Sequence, residues 1–464
     1  MAILSAYMLP HPPLIIPEIG KGQEQAISRT IAAYHEAARR IGTERPDTII
    51  LLSPHQVMYS DYFHISPGKG AKGDFSQFRA GNVKMEVSYD TDFVYKLCKL
   101  SDHAAFPAGT YGEQSNRLDH GTMVPLYFIN QYWKDYRLVR VGLSGLPLIR
   151  HYELGQYIRE TVDALGRKTV LIASGDLSHR LKEDGPYGYQ AQGPEYDSRI
   201  MDVMERASFG ELLDFQEDFC EKAGECGHRS FTIMAGTLDK TAVFPEKLSY
   251  EGPFGVGYGI CCYKVNGPDP GRDFRTQYEE KQKRTLFRQR EKEDSYIQLA
   301  RKTIETYIRT GKIIPPPENL DREMLCQKAG VFVSLKEDGR LRGCIGTIQA
   351  MQKSIAEEII ANAISASTKD PRFSPVESWE LERLSVSVDV LGKKEKITSP
   401  NQLDTRRYGV IVTKGRKRGL LLPNLEGVDT VDEQIAIAKQ KAGIGEEEYV
   451  DLERFEVVRH EVRP

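Results

Sequence analysis

Short apolar runs alternate with helix-like stretches over the first part of the chain. Apolar runs at 3–9, 48–53 and 170–176 have the length and composition of buried strands. Stretches at 23–41 and 152–165 instead repeat apolar residues with helical spacing. Strands that alternate with helices are typical of a parallel sheet covered by helices. The pattern therefore predicts an α/β N-terminal domain with a mainly parallel sheet.

The last third of the chain has a different pattern. Apolar runs at 330–335 and 341–347 flank a Lys-Glu-Asp-Gly turn, which is typical of a β-hairpin. Residues 384–390 alternate between apolar and polar side chains, as in a half-buried strand. An amphipathic helix is predicted at 295–309. We expect an α+β domain with its own core.

A boundary between the two domains is indicated by composition. Residues 266–271 are rich in glycine and proline, and 277–293 are strongly charged with mixed sign. Such a segment favours a solvated linking helix over a nucleic-acid-binding arm. The predicted organisation is a first domain at 1–265, a charged linker helix at 266–293 and a second domain at 294–464.

Composition excludes several classes of protein. The chain has 464 residues and a formal net charge of −3, so no overall basic field attracts nucleic acid or anionic membrane. No apolar run approaches the roughly 20 residues that a membrane helix needs. Its seven cysteines include no CxxC pair, which favours reduced thiols over a disulfide scaffold. We expect a cytoplasmic protein without a membrane partner.

Three histidines follow directly on predicted strands: His11, His55 and His179. In an open parallel sheet the carboxyl ends of the strands lie along one edge, where ligands bind. These imidazoles are therefore expected to converge on a metal or proton-transfer site. Prolines beside His11 and His55 fix the backbone there. One histidine of this kind usually has a structural role. Two histidines at strand ends, each beside a proline, favour a role as metal ligands.

Other residues of the same half are candidates with two interpretations each. His120 would contact a substrate oxyanion or cap the helix that follows it. His179 is a candidate general base, because histidine titrates near neutral pH, and Asp176 could orient it. Cys226 could complete a metal site or be a buried structural thiol.

Together these motifs resemble a known family. His-Pro-Pro near the N-terminus, Ser-Pro-His after a strand, Gly-Asp-Leu-Ser-His and the Cys-Gly segment are similar to motifs of the class III extradiol ring-cleavage dioxygenase family, which includes the Memo proteins. The resemblance implies that His11 and His55 bind non-haem Fe(II), that His179 is the acid/base and that His120 contacts substrate. It also implies a catechol-like aromatic substrate and O₂.

The sequence departs from ring-cleaving members at one ligand. Cys226 stands where those members have a glutamate, as in Memo-like proteins. A thiolate is a softer ligand than a carboxylate. Fe(II) is the expected metal at His11, His55 and Cys226, with Zn and Cu as alternatives.

The second domain resembles the AMMECR family in its Leu-Arg-Gly-Cys-Ile-Gly-Thr, Lys-Asp-Pro-Arg-Phe and Arg-Gly-Leu-Leu-Leu-Pro motifs. Proteins of this kind occur with Memo-like proteins and a radical S-adenosylmethionine protein in the AmmeMemoRadiSam system, so such a partner is expected. The candidate site residues of this second domain are Arg342, Gly343, Cys344, Asp370 and Arg372. Cys344 is either a nucleophile activated by a nearby cation or part of a tight barrel corner, and Asp370 with Arg372 could be a local salt-bridged turn.

Three functions remain open from the sequence. The leading hypothesis is an iron-dependent, extradiol dioxygenase-like oxidoreductase fused to an AMMECR domain. The alternative is a non-oxygenase metal-binding component of a radical S-adenosylmethionine-linked RNA or protein modification system. A zinc hydrolase that uses metal-bound water is the third.

Overall fold

The structure is a computed structural model that describes residues 2–337, 339–425 and 427–462. It divides into two compact units, 1–279 and 280–464, and the boundary falls within one helix. Over the described part of the chain, no helix combines the length and the apolar character needed to cross a bilayer.

The described residues of the first unit form ten strands and eight α-helices, with a ninth helix at its end. The strands are β1 Ile3–Leu9, β2 Thr48–Ser53, β3 Phe63–His64, β4 Gly70–Phe75, β5 Ala80–Ser88, β6 Ala108–Gly109, β7 Arg137–Gly142, β8 Thr169–Ser174, β9 Thr241–Glu251 and β10 Tyr258–Pro268. The helices are α1 Pro17–Gly20, α2 Ser28–Glu44, α3 Thr91–His103, α4 His120–Ile129, α5 Leu148–Leu165, α6 Gln192–Arg206, α7 Glu217–Ala223, α8 His228–Thr237 and α9 Phe274–Arg290.

The central sheet has the strand order β7-β2-β8-β1-β10-β9. Strands β7, β2, β8 and β1 are parallel to one another, whereas β10 pairs antiparallel with both β1 and β9. The predicted α/β fold with a mainly parallel sheet is therefore confirmed. In register, Leu9 of β1 lies opposite Ser174 of β8, so the two strands end together at one edge.

Strands β1, β2 and β8 of this sheet are buried on both faces, which explains their uninterrupted apolar runs. Ile50 and Leu52 of β2 belong to one core cluster, and Ile49 and Leu51 belong to the other. Because alternate side chains of a strand point to opposite faces, each run supplies two cores at once.

Some elements differ from the predicted ones. The stretch predicted as a helix from residue 23 forms 3₁₀ turns over Gln23–Ile27 and becomes α-helical only at Ser28. The sequence analysis did not identify β9 or the β4–β5 hairpin. These strands have polar and glycine residues on an exposed face, so their apolar pattern is weak.

In the second unit, the part of the chain that the structure describes forms four helices and eight strands. The helices are α10 Ser295–Thr310, α11 Arg322–Cys326, α12 Ile355–Thr368 and α13 Val431–Lys441. The strands are β11 Val331–Glu337, β12 Arg340–Gly346, β13 Leu384–Leu391, β14 Glu395–Ile397, β15 Gly409–Lys414, β16 Lys417–Leu421, β17 Asp451–Phe455 and β18 Val457–His460.

These strands form two antiparallel sheets, with orders β12-β11-β13-β18 and β14-β17-β15-β16. The inner face of the first sheet packs with α10 and α12 in one core, and the second sheet packs with α13 in another. This is the α+β architecture predicted for the last third of the chain.

Candidate metal centre

The candidate centre lies at the edge of the central sheet where its parallel strands end. β1, β2 and β8 stop at Leu9, Ser53 and Ser174. His11 and His55 each follow two residues later in the chain. Because parallel neighbours end side by side, the two imidazoles are brought to the same place.

The structure gathers His11, His55 and Cys226 into one cluster of possible metal ligands. Nε2 of His11 lies 2.9 Å from Nε2 of His55 and 3.6 Å from Sγ of Cys226. All three ligand atoms lie within 4.8 Å of one another. His11 is buried, Cys226 is half-buried and His55 is exposed, so the cluster opens to solvent on the His55 side.

Ser174 fixes the tautomer of His11. Its hydroxyl donates to the carbonyl oxygen of Gly121 at 2.6 Å and lies 2.9 Å from Nδ1 of His11. Because the single hydroxyl proton is used on Gly121, the Ser174 oxygen accepts from an Nδ1–H of His11. The lone pair of His11 is then on Nε2, which faces His55 and Cys226. Histidine ligands of metals are held in this way by their other ring nitrogen.

Cys226 reaches the cluster because two glycines let the backbone come close. A Cβ on Gly175 would stand 2.1 Å from the Cα of Gly227, so a side chain does not fit there. The backbone N–H of Asp176 donates to Sγ of Cys226 at 3.2 Å. The neighbouring carboxylate of Glu225 instead accepts from the backbone N–H of His228, at the start of α8. The thiol and not Glu225 therefore faces the histidines.

His120 lies beside the cluster at the first position of α4. Its ring centroid is 3.9 Å from that of His55 and 5.4 Å from that of His11. The helix is capped by Asp119, whose carboxylate accepts from the backbone N–H of Thr122 at 2.9 Å. Of the two roles predicted for His120, the capping role thus belongs to its neighbour.

Asp119 is also half of a buried ion pair that the sequence analysis missed. Its carboxylate pairs with Arg140 at 2.8 Å and accepts from the hydroxyl of Ser53 at 2.6 Å. Burial favours the protonated acid, but Arg140 and the hydrogen bonds lower the pKa of Asp119 below its ordinary value. Arg140 lies within the apolar run of β7, and a charged residue at such a position is the one feature of the sequence that could have indicated a buried ion pair.

His179 lies near the cluster, but Asp176 does not orient it through a hydrogen bond between described residues. The Asp176 carboxylate accepts from the backbone N–H of His11 at 2.7 Å. Nε2 of His179 is buried and has no hydrogen-bond partner in the described part of the chain. The ring of Tyr187, which is exposed, lies 5.1 Å from that of His179.

Burial keeps the imidazoles and the thiol of this site neutral when no metal is bound. It lowers the pKa of His11 well below its ordinary value, and His55 lowers it further. Burial, then His55 and His11, lower the pKa of His120 to about 3. Burial also raises the pKa of Cys226 well above its ordinary value and that of Asp176 to about 6.

The donor set fits a transition metal. Metal bonds of about 2.0–2.1 Å to imidazole nitrogen and about 2.3 Å to thiolate sulfur separate neighbouring donors by roughly 3–3.6 Å. The distances from Nε2 of His11 to Nε2 of His55 and to Sγ of Cys226, 2.9 and 3.6 Å, are close to this size. Two imidazoles and one thiolate suit Fe, Zn or Cu and leave further coordination positions open to solvent.

The candidate residues of the second unit form two separate ion pairs. Arg342 binds Glu380 through two hydrogen bonds, at 2.6 and 3.1 Å, and therefore does not activate Cys344. Gly343 is needed for packing, because a Cβ there would stand 2.3 Å from the carbonyl oxygen of Ala366 in α12.

Asp370 and Arg372 are held against the backbone of Cys344. The buried Asp370 carboxylate accepts from the Cys344 backbone N–H at 2.8 Å and pairs with Arg372 at 2.7 Å. Arg372 also donates to the Cys344 carbonyl oxygen at 3.2 Å. The thiol of Cys344 accepts from the hydroxyl of Ser334 at 3.2 Å.

Comparisons with known proteins identify both units. Residues 5–261 match the family model described as the catalytic LigB subunit of aromatic ring-opening dioxygenase. The chain belongs to the LigB family. Residues 297–463 match the AMMECR1 family, so the protein carries a LigB domain followed by an AMMECR1 domain. This confirms both resemblances found in the sequence.

The fused architecture also occurs in a relative. Protein CA_C1420 of Clostridium acetobutylicum is 42% identical over 468 residues, which covers 99% of each chain. A Thermotoga maritima protein is 50% identical over 170 residues, 36% of this chain and 98% of its own. The crystal structure of the uncharacterized protein PH0010 from Pyrococcus horikoshii has 35% identity and a TM-score of 0.34, and the match covers 35% of this chain and 88% of that one.

Proposed function

We propose that the LigB domain is an Fe(II)-dependent, extradiol dioxygenase-like oxidoreductase that acts on a catechol-like aromatic substrate. The observation that carries this proposal is the convergence of His11, His55 and Cys226 within 4.8 Å at the sheet edge, with His120 and His179 beside them. A dioxygenase of this class adds both atoms of O₂ to the ring that it opens.

His11, His55 and Cys226 would hold the metal. When bound, it would supply a Lewis-acidic centre for a catecholate and a route for electrons from the aromatic ring to O₂. The hydrogen bonds of Ser174 support this role, because they leave the lone pair of His11 on Nε2.

The remaining histidines would handle protons and orient the substrate. Burial lowers the pKa of His179 below its ordinary value, so the ring is neutral at pH 7, and its buried Nε2 is free to accept a phenolic proton. His120 is neutral for the same reason and would hydrogen-bond a substrate oxygen. Tyr187 and Phe78 provide aromatic surfaces next to these two histidines, suited to a flat ring.

The test is oxygen consumption by the full-length protein reconstituted anaerobically with Fe(II), with a panel of catechols. We expect oxygen uptake and a ring-opened product from at least one catechol. His179→Gln should lower kcat by about 10²–10⁴-fold, the usual contribution of a general base. His103→Gln, an exposed histidine at the end of α3, is the control and should leave the rate unchanged. Tight iron binding without oxygen uptake from any catechol would contradict the proposal.

One observation favours the second candidate, a metal-binding component of a radical S-adenosylmethionine-linked RNA or protein modification system. The third ligand position holds the thiol of Cys226, and the adjacent Glu225 points to the start of α8. Cys226→Glu separates the two candidates, with Cys220→Ser, a buried cysteine of α7, as the matched control. Dioxygenase activity that appears only in Cys226→Glu would support the second candidate.

A further inference from the structure

A second polar cluster lies on the outer face of the sheet β12-β11-β13-β18. Cys344 of β12 lies opposite Ser334 of β11 in the strand register. Asp389 of β13 lies opposite Phe332 of β11 on one side and Arg459 of β18 on the other. Residues directly opposite one another and those two positions apart share a face. Cys344, Ser334, Asp389 and Arg459 are therefore on one face, whereas Val331, Val333 and Leu335 face the core.

Apolar residues cover only part of this outer face. Phe332, Leu391 and Val457 pack against Ile411, Leu420 and Phe455 of the second sheet. The polar residues Cys344, Ser334, Asp389 and Arg459 lie outside that apolar contact, and we call the surface that they form the recess. Burial lowers the pKa of Lys441, Cys344 opposes this effect and Arg372 adds to it, so these three groups lie within electrostatic range.

Three cations from separate segments lie within electrostatic range of Cys344 and have unused donors. Arg372 uses Nε and Nη2 on Asp370 and on the Cys344 carbonyl oxygen, and Arg459 uses Nε and Nη2 on Asp389. Their Nη1 atoms and the Nζ of Lys441 have no hydrogen-bond partner among the described residues. Asp370 and Asp389 are each 4% exposed. These two acids lie behind the guanidinium groups and fix their orientation.

We propose that this recess of the AMMECR1 domain binds the phosphate group of a ligand, next to the thiol of Cys344. Guanidinium groups held by buried carboxylates present planar donors that match phosphate oxygens, and a lysine adds a further charge. The backbone N–H and the carbonyl oxygen of Cys344 are occupied by Asp370 and Arg372. The half-buried thiol is thereby held at the recess, where a ligand would cover it. This inference does not depend on the metal centre of the LigB domain.

Protection of Cys344 from alkylation tests the proposal. The full-length protein is treated with iodoacetamide in increasing inorganic phosphate, with chloride keeping the ionic strength constant, and each cysteine is followed by mass spectrometry. We expect phosphate to slow alkylation of Cys344 at least about fivefold. Cys326, an exposed cysteine of the same domain, is the internal control and should react at an unchanged rate. Equal rates for Cys344 in phosphate and chloride would overturn the proposal.

Variants test the cations. Lys441→Gln should raise the phosphate concentration that gives half-protection by about tenfold, which corresponds to the loss of about 1.4 kcal/mol of binding. Lys302→Gln removes an exposed lysine of α10 and should leave that concentration unchanged. Half-protection reports binding and is not moved by a change in thiol reactivity. Equal half-protection in the two variants would contradict the assignment.

A second ligand distinguishes the source of the phosphate. An oligonucleotide of about ten residues without terminal phosphates offers only phosphodiesters. If the oligonucleotide protects Cys344 at a lower concentration of phosphate groups than inorganic phosphate does, the recess is assigned to a nucleic-acid backbone. Weaker protection would assign it to a small phosphorylated molecule. The site itself stands in both cases, and it falls if inorganic phosphate does not protect Cys344.

Discussion

Nε2 of His11 and Nε2 of His55 lie 2.9 Å apart, although 44 positions separate the two residues in the chain. Two ring nitrogens at this distance share either a proton or a cation. Because Ser174 takes the Nδ1–H of His11, the His11 nitrogen in this pair carries a lone pair. The arrangement fits the metal site that we propose, in which the first ligand is already in the tautomer that offers its lone pair.

Removal of the Ser174 hydroxyl should weaken metal binding without unfolding the domain. In Ser174→Ala the Nδ1–H of His11 loses its acceptor, so the ring is free to turn or change tautomer. We expect the affinity for Fe(II) to fall by about 10–100-fold, the usual effect of losing such a partner. Metal titration with a competing chelator measures the change.

Ser101→Ala is the matched control for that variant. The Ser101 hydroxyl is buried and has no hydrogen-bond partner among the described residues. Its removal should leave the Fe(II) affinity unchanged. If both serine variants bind Fe(II) as the wild type does, the tautomer of His11 is set by something other than Ser174.

Arg140 should be important for the stability of the LigB domain. Its side chain is 6% exposed and pairs with Asp119, whose side chain is 11% exposed. Arg140→Ala leaves a buried carboxylate without its partner, which costs about 3–5 kcal/mol of unfolding free energy. Arg159→Ala breaks a more exposed pair with Asp163 and should cost less than about 1 kcal/mol. Urea unfolding compares the two, and similar losses would contradict the ranking.

Asp197 should make stability depend on pH. It is 2% exposed, and burial raises its pKa to about 7, although the Ser178 N–H and the Tyr250 hydroxyl oppose the shift. The folded protein therefore holds this proton more tightly than the unfolded chain does. The resulting stabilisation is fully present below about pH 4 and is lost as the pH rises through 7.

Asp197→Asn removes this titration. From pH 5 to pH 8 the wild type should lose about 2 kcal/mol of unfolding free energy that the variant does not lose. Asp135→Asn, an exposed position, should follow the wild type at both pH values. A difference between Asp197→Asn and the wild type that is the same at pH 5 and pH 8 would show that Asp197 ionises normally.

The sequence predicted the strand-end histidines because their signal is local. An apolar run followed by His11 or His55 places each imidazole at the end of a strand. Parallel pairing of β1 and β2 with β8 then brings the two strand ends to the same edge of the sheet. The three-residue cluster with Cys226 also agrees with the predicted ligands. Ser174 and Arg140 were missed, since both lie within strands and their roles depend on partners that are distant in the chain.

The same reason explains the second domain. The Arg-Gly-Cys motif is visible in the sequence, but the salt bridge between Arg342 and Glu380 is visible only in the fold. Arg459 and Lys441 approach Cys344 through strand pairing and packing of α13, so no local pattern marks them. Backbone proximity such as that of Gly175 to Gly227 likewise has no signature beyond two small residues.

X-ray absorption at the iron edge tests the central claim most directly. In the full-length protein reconstituted with Fe(II), we predict one sulfur ligand together with two imidazoles. The sulfur signal should disappear in Cys226→Ser and persist in Cys220→Ser. A spectrum of the wild type without sulfur, or one in which sulfur persists after Cys226→Ser, would contradict a metal centre formed by His11, His55 and Cys226.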